Sequence, residues 1–498
     1  MCVKFGWAEA DITPTVKIAL CGQFYERVTD EVETPISVTA LAIESGGEQA
    51  VFCSCDLEGV NESLVRRSRQ KLNAPGLDPR NVIINAVHTH NSYTIANPDV
   101  DRKKLRDSVE YFKSRIPQGC EYIPEDSAPD QMDPLNVLEF LSGRIAEAVS
   151  SAWNNRKEGL YANGFGRAAV GMCRRVCYAD GTAKMWGDTD AAFFTELEGG
   201  NDSGIELLFT YDMQRNLTGV VANIACPSQV MEQRTVISSD YWGKVKLLLR
   251  EKYGEAVCLL ALCAPAGDQC PRDLVRWVEP ETPIKDPNVI RESPKARRAD
   301  PSMFDVKGTW TIGRRIMNEI DFALSDVTEY NASAVLRHKV LDLKLPLRRV
   351  TESDKTGAEA KIKAFFRGKT SVNYIDTAEL NICAGILERF DMQKERIMVH
   401  TEVHVLRLGD IAFATSPFEL FLDFGNRIRA RSAAKQTFLV QLCQDALGYL
   451  PTEKAEKHGH YSAYVASGLV GHAGGDLLVA NTLDEIANLF DETQEEEI

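Results

Sequence analysis

Apolar positions along this chain fall into short runs that alternate with longer amphipathic stretches. Residues 37–43 and 50–56 read as strands, rich in Val, Ile, Ala, Cys and Phe. Residues 61–71 have helical spacing, with Asn61 as N-cap and Leu64 on the apolar face. The run from Asn81 to Val87 is apolar almost throughout and predicts a buried strand. His88 and His90 follow at its C-terminal end, where open α/β sheets place their ligands. On an extended chain, imidazoles at i and i+2 point the same way, roughly 7 Å apart. One could then bind a metal while the other handles a proton.

Residues 91–135 are polar, with Pro, Asp and Gln scattered through them, and predict a long loop or lid beside the histidines. Residues 135–153 predict an amphipathic helix, 164–225 a meander of strands, 240–253 a helix and 256–264 a buried strand. Residues 279–307 hold five prolines and many charges, an exposed excursion serving as lid or linker. Beyond it come a helix over 309–324, a strand over 331–346, and a helical hairpin from 355–366 and 378–390. Strands over 396–407 and 411–415, a helix over 482–490 and an acidic tail over 491–498 complete the pattern. No internal repeat or break in composition divides the chain. The expectation is the α/β class: one large layered domain over residues 1–490, with mixed β-sheets flanked by helices.

Composition narrows the function. The chain has 498 residues, 44% apolar and 26% charged, with a net charge of -15. Without a basic stripe, nucleic acid is excluded as a partner, and so is stable docking on an anionic membrane. A small-molecule substrate is the expected partner; nothing in the pattern fixes an oligomeric state. The N-terminus lacks the apolar core of a secretory signal, and no apolar stretch is long enough to span a bilayer. The 13 cysteines, an odd number at irregular spacing, predict reduced thiols in the cytoplasm. Cys53/Cys55 and Cys173/Cys177 lack the spacing of a structural zinc site.

Three motifs carry candidate chemistry. His400-Thr401-Glu402-Val403-His404 resembles a zinc-protease helix, but the flanking apolar positions have period two. On a strand the two histidines lie about 13 Å apart, too far for one metal. The loop from Cys263 to Asp273 packs small, polar and reactive residues after a strand, and Gly267 permits a tight turn there. Its Cys270 is either a nucleophile with a stabilised thiolate or a buried structural thiol. In Thr415-Ser416-Pro417-Phe418-Glu419 a strand stops and Glu419 opens a helix running through Arg427. Its carboxylate can bind a metal, act as a base, or complement the helix dipole.

Taken in order, eight short segments resemble one family. They are Gly6 to Pro14, Asp56-Leu57, His88-Thr89-His90, Ile237 to Gly243, Ala266 to Arg272, Pro417-Phe418-Glu419, Gly448-Tyr449 and His460-Tyr461. On these the chain resembles the catalytic domain of the neutral/alkaline non-lysosomal ceramidases, zinc-dependent amidases, as a divergent cytosolic member. The resemblance implies His88, Glu419 and Tyr449 as zinc ligands. It implies His90 and Tyr461 as catalytic groups near the scissile carbonyl. Zinc would polarise that carbonyl and acidify a bound water.

Two departures alter the expectation. The family's second zinc histidine lies in a turn that here reads Asn223-Ile224-Ala225-Cys226-Pro227-Ser228-Gln229, with no histidine. Cys226 and Gln229 are the nearest substitutes, and the loss changes metal affinity or metal choice. Cys270 stands where ceramidases carry an active-site serine. The chain also ends about where the catalytic domain ends, without the family's C-terminal immunoglobulin-like domain. A soluble substrate is therefore expected rather than ceramide.

Three readings follow. The first is metal-dependent hydrolysis of an amide C–N bond in a soluble substrate. The second keeps the pocket for metal-free or cysteine-dependent chemistry on a polar, sugar-like metabolite, held by Arg174, Arg175, Asp240, Asp268 and Arg272. The third is a non-catalytic binding protein on the same scaffold.

Overall fold

Side chains that alternate along each strand, one toward a helix and the next toward another sheet, organise this protein in layers. The computed structural model describes residues 2–23, 27–98, 116–123, 130–278, 298–299, 303–373 and 378–491. Most of the loop expected over 91–135, most of 279–307 and the tail beyond Asp491 lie outside the described residues.

The first sheet joins β1 (Lys4–Asp11), β2 (Ser37–Ser45), β3 (Glu48–Cys55) and β4 (Val82–Ala86), with β3 and β4 parallel and the others antiparallel. In the second, β5 (Leu160–Arg167), β6 (Gly204–Tyr211) and β7 (Leu217–Ile224) are antiparallel, and β8 (Cys258–Cys263) lies parallel to β7. The third runs β9 (Leu336–Pro346), β10 (Met398–Leu408), β11 (Ile411–Thr415) and β12 (Gln436–Val440), its last pair parallel. Among the described residues, the helices named here are α1 (Glu62–Gln70), α2 (Pro134–Asn154), α3 (Asp240–Tyr253), α4 (Asp305–Ser325), α5 (Glu352–Phe365), α6 (Ala378–Met392), α7 (Leu422–Arg431) and α8 (His472–Phe490).

Period-two alternation explains the layering. In the first sheet Val38, Ala40, Ala42 and Cys53 face α1 and α2, joining Leu64, Leu141 and Ile145. Leu41, Ile43, Phe52 and Ile83 point the other way, onto Leu208, Val221 and Leu260 of the second sheet and Leu406, Phe413 and Phe438 of the third. The second sheet's far face is covered by α3 and α4 through Trp242, Val245 and Ile316. The third sheet's far face is covered by α7 and α8 through Phe424, Leu478 and Ile486. At the join, the buried Asn223 side chain bonds the Leu262 and Leu439 carbonyls and accepts from the Leu439 amide. Bridging three backbone groups satisfies polar atoms that burial would otherwise leave costly.

The α/β class holds, with mixed sheets flanked by helices. The helix over Asp240–Tyr253 and the Asn61 cap, which accepts from the Leu64 amide, match the sequence pattern. Helices α5 and α6 pack as the expected hairpin through Ala358, Ile362, Leu380 and Leu387. His400 and His404 sit on strand β10, and His404 spends its ring on His338, Glu402 and Gln444. Two local expectations change. Glu419 does not open a helix: Glu419–Leu420 pairs parallel with Tyr449–Leu450, and α7 starts at Leu422. The last helix begins at His472, well before residue 482, and its first turn packs Gly474 and Gly475 against Val470 and Phe424 where a Cβ would collide. No helix among the described residues is long and apolar enough to cross a membrane.

Candidate active site

The parallel pair of each of these three sheets, β3–β4, β7–β8 and β11–β12, ends at one place. Loops after them carry Glu58 and His88 to His90, Cys226 to Glu232 and Gly267 to Arg272, Glu419, and Tyr449 to Tyr461. The carboxyl ends of parallel strands are where α/β sheets place ligands. Arg174, Arg175 and Trp186 come instead from a small meander between β5 and β6.

Strand β4 stops at Ala86, so the extended alternation expected to aim the two histidines does not reach them. His88 adopts a left-handed φ of 67°. The imidazoles meet edge to face, with ring centroids 4.9 Å apart. The His88 Nδ1 lies 2.6 Å from the Glu58 carbonyl. A carbonyl only accepts, so Nδ1 carries the proton and Nε2 faces Glu419 Oε2 at 3.3 Å. Burial opposes a charge on His88, but Glu419 outweighs it and lifts the imidazole to about 9. For Glu419, burial raises the carboxyl and is outweighed by His88 and Arg174, which hold it below the usual range.

The backbone at Glu419 is fixed by two bonds: its amide donates to the Gly448 carbonyl, and the Gly267 amide donates to the Leu420 carbonyl. A Cβ on Gly267 would lie 2.3 Å from the Glu419 carbonyl, so this approach requires glycine. Tyr449, the ladder partner of Glu419, places its hydroxyl 3.1 Å from that of Tyr461. Arg175 holds the turn behind Tyr461, donating to the Tyr461 carbonyl at 3.1 Å. It also pairs through two nitrogens with the buried Glu198.

Arg174 enters from the opposite side. Its Nη2 donates to the Tyr449 hydroxyl at 3.3 Å and the Gly267 carbonyl at 3.1 Å, and lies 3.9 Å from Glu419. Arg272 is fully buried, with its guanidinium 5.0 Å from the Trp186 ring centroid, on which Arg174 also lies at 5.6 Å. Arg272 pairs with Glu232 Oε1 at 3.3 Å, and Glu232 Oε2 lies 3.1 Å from His90 Nδ1. Burial pushes the His90 imidazole below its usual range.

Of the residues singled out from sequence, His88, His90, Glu419, Tyr449, Tyr461, Arg174 and Arg272 come together. Asp240 and Asp268 hold loops beside this cluster. Asp240 accepts from the Met231 and Tyr241 amides, and burial pushes it up to about 7. Asp268 accepts from the Leu422 amide at the start of α7, and burial pushes it up to about 6. The Cys270 thiol donates to the Arg272 carbonyl at 3.2 Å, and burial pushes it up to about 12. Cys226 turns its sulfur to the Pro227 and Val170 carbonyls, whereas Gln229 Oε1 lies 3.5 Å from Arg174. Glu58, Trp186 and Glu232 were not found from sequence. The signal for Glu232 was weak: an acid in a polar turn six residues after Cys226.

No family model matches the sequence, and no curated protein sequence does. Solved structures do. A neutral ceramidase from Pseudomonas aeruginosa superposes with a TM-score of 0.64 at 14% identity, over 98% of this chain and 74% of that one. A ceramidase complexed with C2 gives 0.66 at 13% identity, over 98% and 75%. The fold is that of the neutral ceramidases.

On this fold, a divalent ion can be tested against the donors present. His88, Glu419 and Tyr449 offer an imidazole nitrogen, a carboxylate and a phenol. The second nitrogen of His88 is anchored on a carbonyl, as metal-bound histidines require. The set fits a catalytic ion held by three protein groups with a position left open. Elsewhere among the described residues Cys177, Glu198 and His458 also lie within reach of one ion. Arg175 already matches the Glu198 charge, so that group is no comparable site.

Proposed function

We propose that this chain is a hydrolase that cleaves the amide C–N bond of a small, soluble, polar substrate in the pocket between His88, His90, Glu419 and Tyr449. The observation that carries the reading is the convergence of the His88–Glu419 pair, Tyr449 and the second imidazole, His90, at the strand ends of a ceramidase fold.

His88, Glu419 and Tyr449 would hold zinc, which when bound polarises the scissile carbonyl and acidifies a water. The chain's own groups do the rest. His90, whose Nδ1 lies 3.1 Å from Glu232, is the proton carrier in this reading. It accepts a proton as the water oxygen bonds the carbonyl carbon, then gives it to the departing nitrogen as the C–N bond breaks. Acid and amine leave, and His90 returns to its starting state. Tyr461, bonded to Tyr449, lines the carbonyl side. Arg174 and Arg272 supply fixed positive charge for oxygen-rich or anionic substituents. Cys270 forms the wall behind Arg272; a thiol this buried is inert.

The two buried guanidiniums and the net charge of -15 support a soluble substrate over a two-tailed lipid. They likewise support no role for nucleic acid or stable membrane association. All 13 cysteines are free, which supports a reducing, cytoplasmic setting. Pocket residues drawn from Glu58 to Tyr461 support treating 1–490 as one catalytic unit.

One observation favours a metal-free variant of the same chemistry: Arg174 sets a fixed cation against both Tyr449 and Glu419. The test of hydrolysis is mass spectrometry of products over a panel of soluble N-acyl amides, alongside ceramide in vesicles. The expected result is an acid and an amine from a soluble substrate, lost in His90→Ala and Glu419→Gln. Ceramide as the sole cleaved compound, or no cleavage at all, would overturn the reading.

A further inference from the structure

The segment that carries Tyr461 has little regular structure of its own. Residues 459–471 form turns and isolated bridges, and His460 and Ser462 adopt left-handed φ values of 73° and 71°. Such backbone persists only where its surroundings hold it, and its carbonyls need donors from elsewhere. Arginine side chains supply them. Arg175 donates to the Gly459 and Tyr461 carbonyls at 2.9 and 3.1 Å, and Arg348 to the Ala463 carbonyl at 2.8 Å. Arg389 takes the carbonyls of Val465, Gly468 and Leu469, and also donates to the Arg348 carbonyl at 2.8 Å.

Arg389 comes from α6 of the helical hairpin, which has a core of its own. A cation in the last turn of a helix suits the helix dipole, but these bonds all leave the helix. Arg389 is 6% exposed, and no carboxylate among the described residues pairs with it. Burial, with the Arg348 charge nearby, pushes the guanidinium down to about 10. An apolar side chain would fasten the hairpin without the cost of burying a charge. What the guanidinium adds is the placement of residues 465–469, which lie one step from the site. Gly468 bridges to Gly448, and the Tyr449 amide donates to the Ser467 carbonyl at 2.9 Å. A Cβ on Gly468 would lie 1.8 Å from the Tyr449 carbonyl, so this approach requires glycine. Turns from His460 to Tyr464 and from Tyr464 to Ser467 join this piece to Tyr461.

We propose that Arg389 is a positioning residue: from the hairpin, outside the site, it sets residues 465–469 and through them the Tyr449–Tyr461 hydroxyl pair. The 3.1 Å contact of the two phenols depends on both arms of one segment, and Arg389 grips that segment between them. The role rests on the hydrolytic reading only for its effect on rate, not for its geometry.

The test uses protein carrying 3-fluorotyrosine, with the ¹⁹F signals of Tyr449 and Tyr461 assigned by their loss in Tyr449→Phe and Tyr461→Phe. Arg389→Met keeps the length and apolar bulk and removes the donors. Both signals are expected to move in it, while that of Tyr211 on β6 stays. On any amide cleaved by wild type, kcat should fall about 10- to 100-fold with KM within about threefold, the signature of misplaced groups. If Arg389→Met does not fold, Arg389→Lys, which keeps the charge and loses the fork of donors, is read in the same way. A clasp that only secures the hairpin would lower the melting temperature and leave both signals in place. Unmoved Tyr449 and Tyr461 signals in a folded variant therefore overturn the proposal. The signals are read without substrate, so moved signals with no amide cleaved by any form of the protein would uphold the role of Arg389 and defeat the hydrolytic reading alone.

Discussion

His88 and Glu419 face each other at 3.3 Å, imidazole nitrogen to carboxylate oxygen, from the ends of strands in two different sheets. Neither is placed by its neighbours in sequence. The pair exists because the first and third sheets share one core, so their parallel strand pairs end side by side. If it is the heart of a metal centre, each member is indispensable. His88→Ala and Glu419→Ala, purified without chelator, should each lose bound transition metal by elemental analysis and lose turnover with it. Their melting temperatures should also drop, since each change leaves a buried charged group without its partner.

Cys270 separates wall from nucleophile. Cys270→Ser should keep its activity within about threefold of wild type, because the buried thiol has no thiolate to lose. A rate below a hundredth of wild type, in a variant with unchanged circular dichroism, would give the sulfur a chemical role.

Arg174 should matter for recognition. Its Nη2 reaches Tyr449 and Gly267 while its Nη1 reaches Gln229, a fork that a single lysine ammonium does not reproduce. Arg174→Lys should raise KM for an anionic amide by roughly tenfold and for a neutral analogue much less. Equal effects on the two substrates would count against charge recognition.

Much of this was legible in sequence. The apolar run from Val82 to Ala86 declared a buried strand, and His88 after it lies 3.3 Å from Glu419. The helix over Asp240–Tyr253 and the cap at Asn61 follow from local spacing. What local pattern could not show was pairing at a distance. Glu419 reads as a helix start because the residues after it are helical, and only its ladder with Tyr449 makes it a strand. Glu232 has only a weak sequence signature, since its partners His90 and Arg272 lie in other loops. Asp240 and Asp268 look alike in sequence whether they meet a ligand or a backbone amide. The structure directs both to amides.

Acid stability tests the far end of β4. There Glu402 bonds Arg69 and His404, and His404 bonds His338. Burial would raise the Glu402 carboxyl, but His404 and Arg69 outweigh it and hold it down to about 2. Burial, helped by His404, holds His338 down to about 3. Both folded values lie below the unfolded 4.5 and 6.5, so the unfolded chain binds more protons as pH falls. The stabilisation is complete above about 6.5 and is lost progressively toward about 2. Urea midpoints should fall across that window, and Glu402→Gln should flatten the portion below about 4.5. A midpoint that rises on acidification would contradict the network.

The most direct measurement is metal stripping and return on an amide that the wild-type protein cleaves. The account predicts that chelator-treated protein loses turnover, that about one equivalent of zinc restores it, and that Glu419→Gln is not restored. Stripped protein that cleaves the amide at the untreated rate would contradict the metal centre and leave Arg174 as the cation of this pocket.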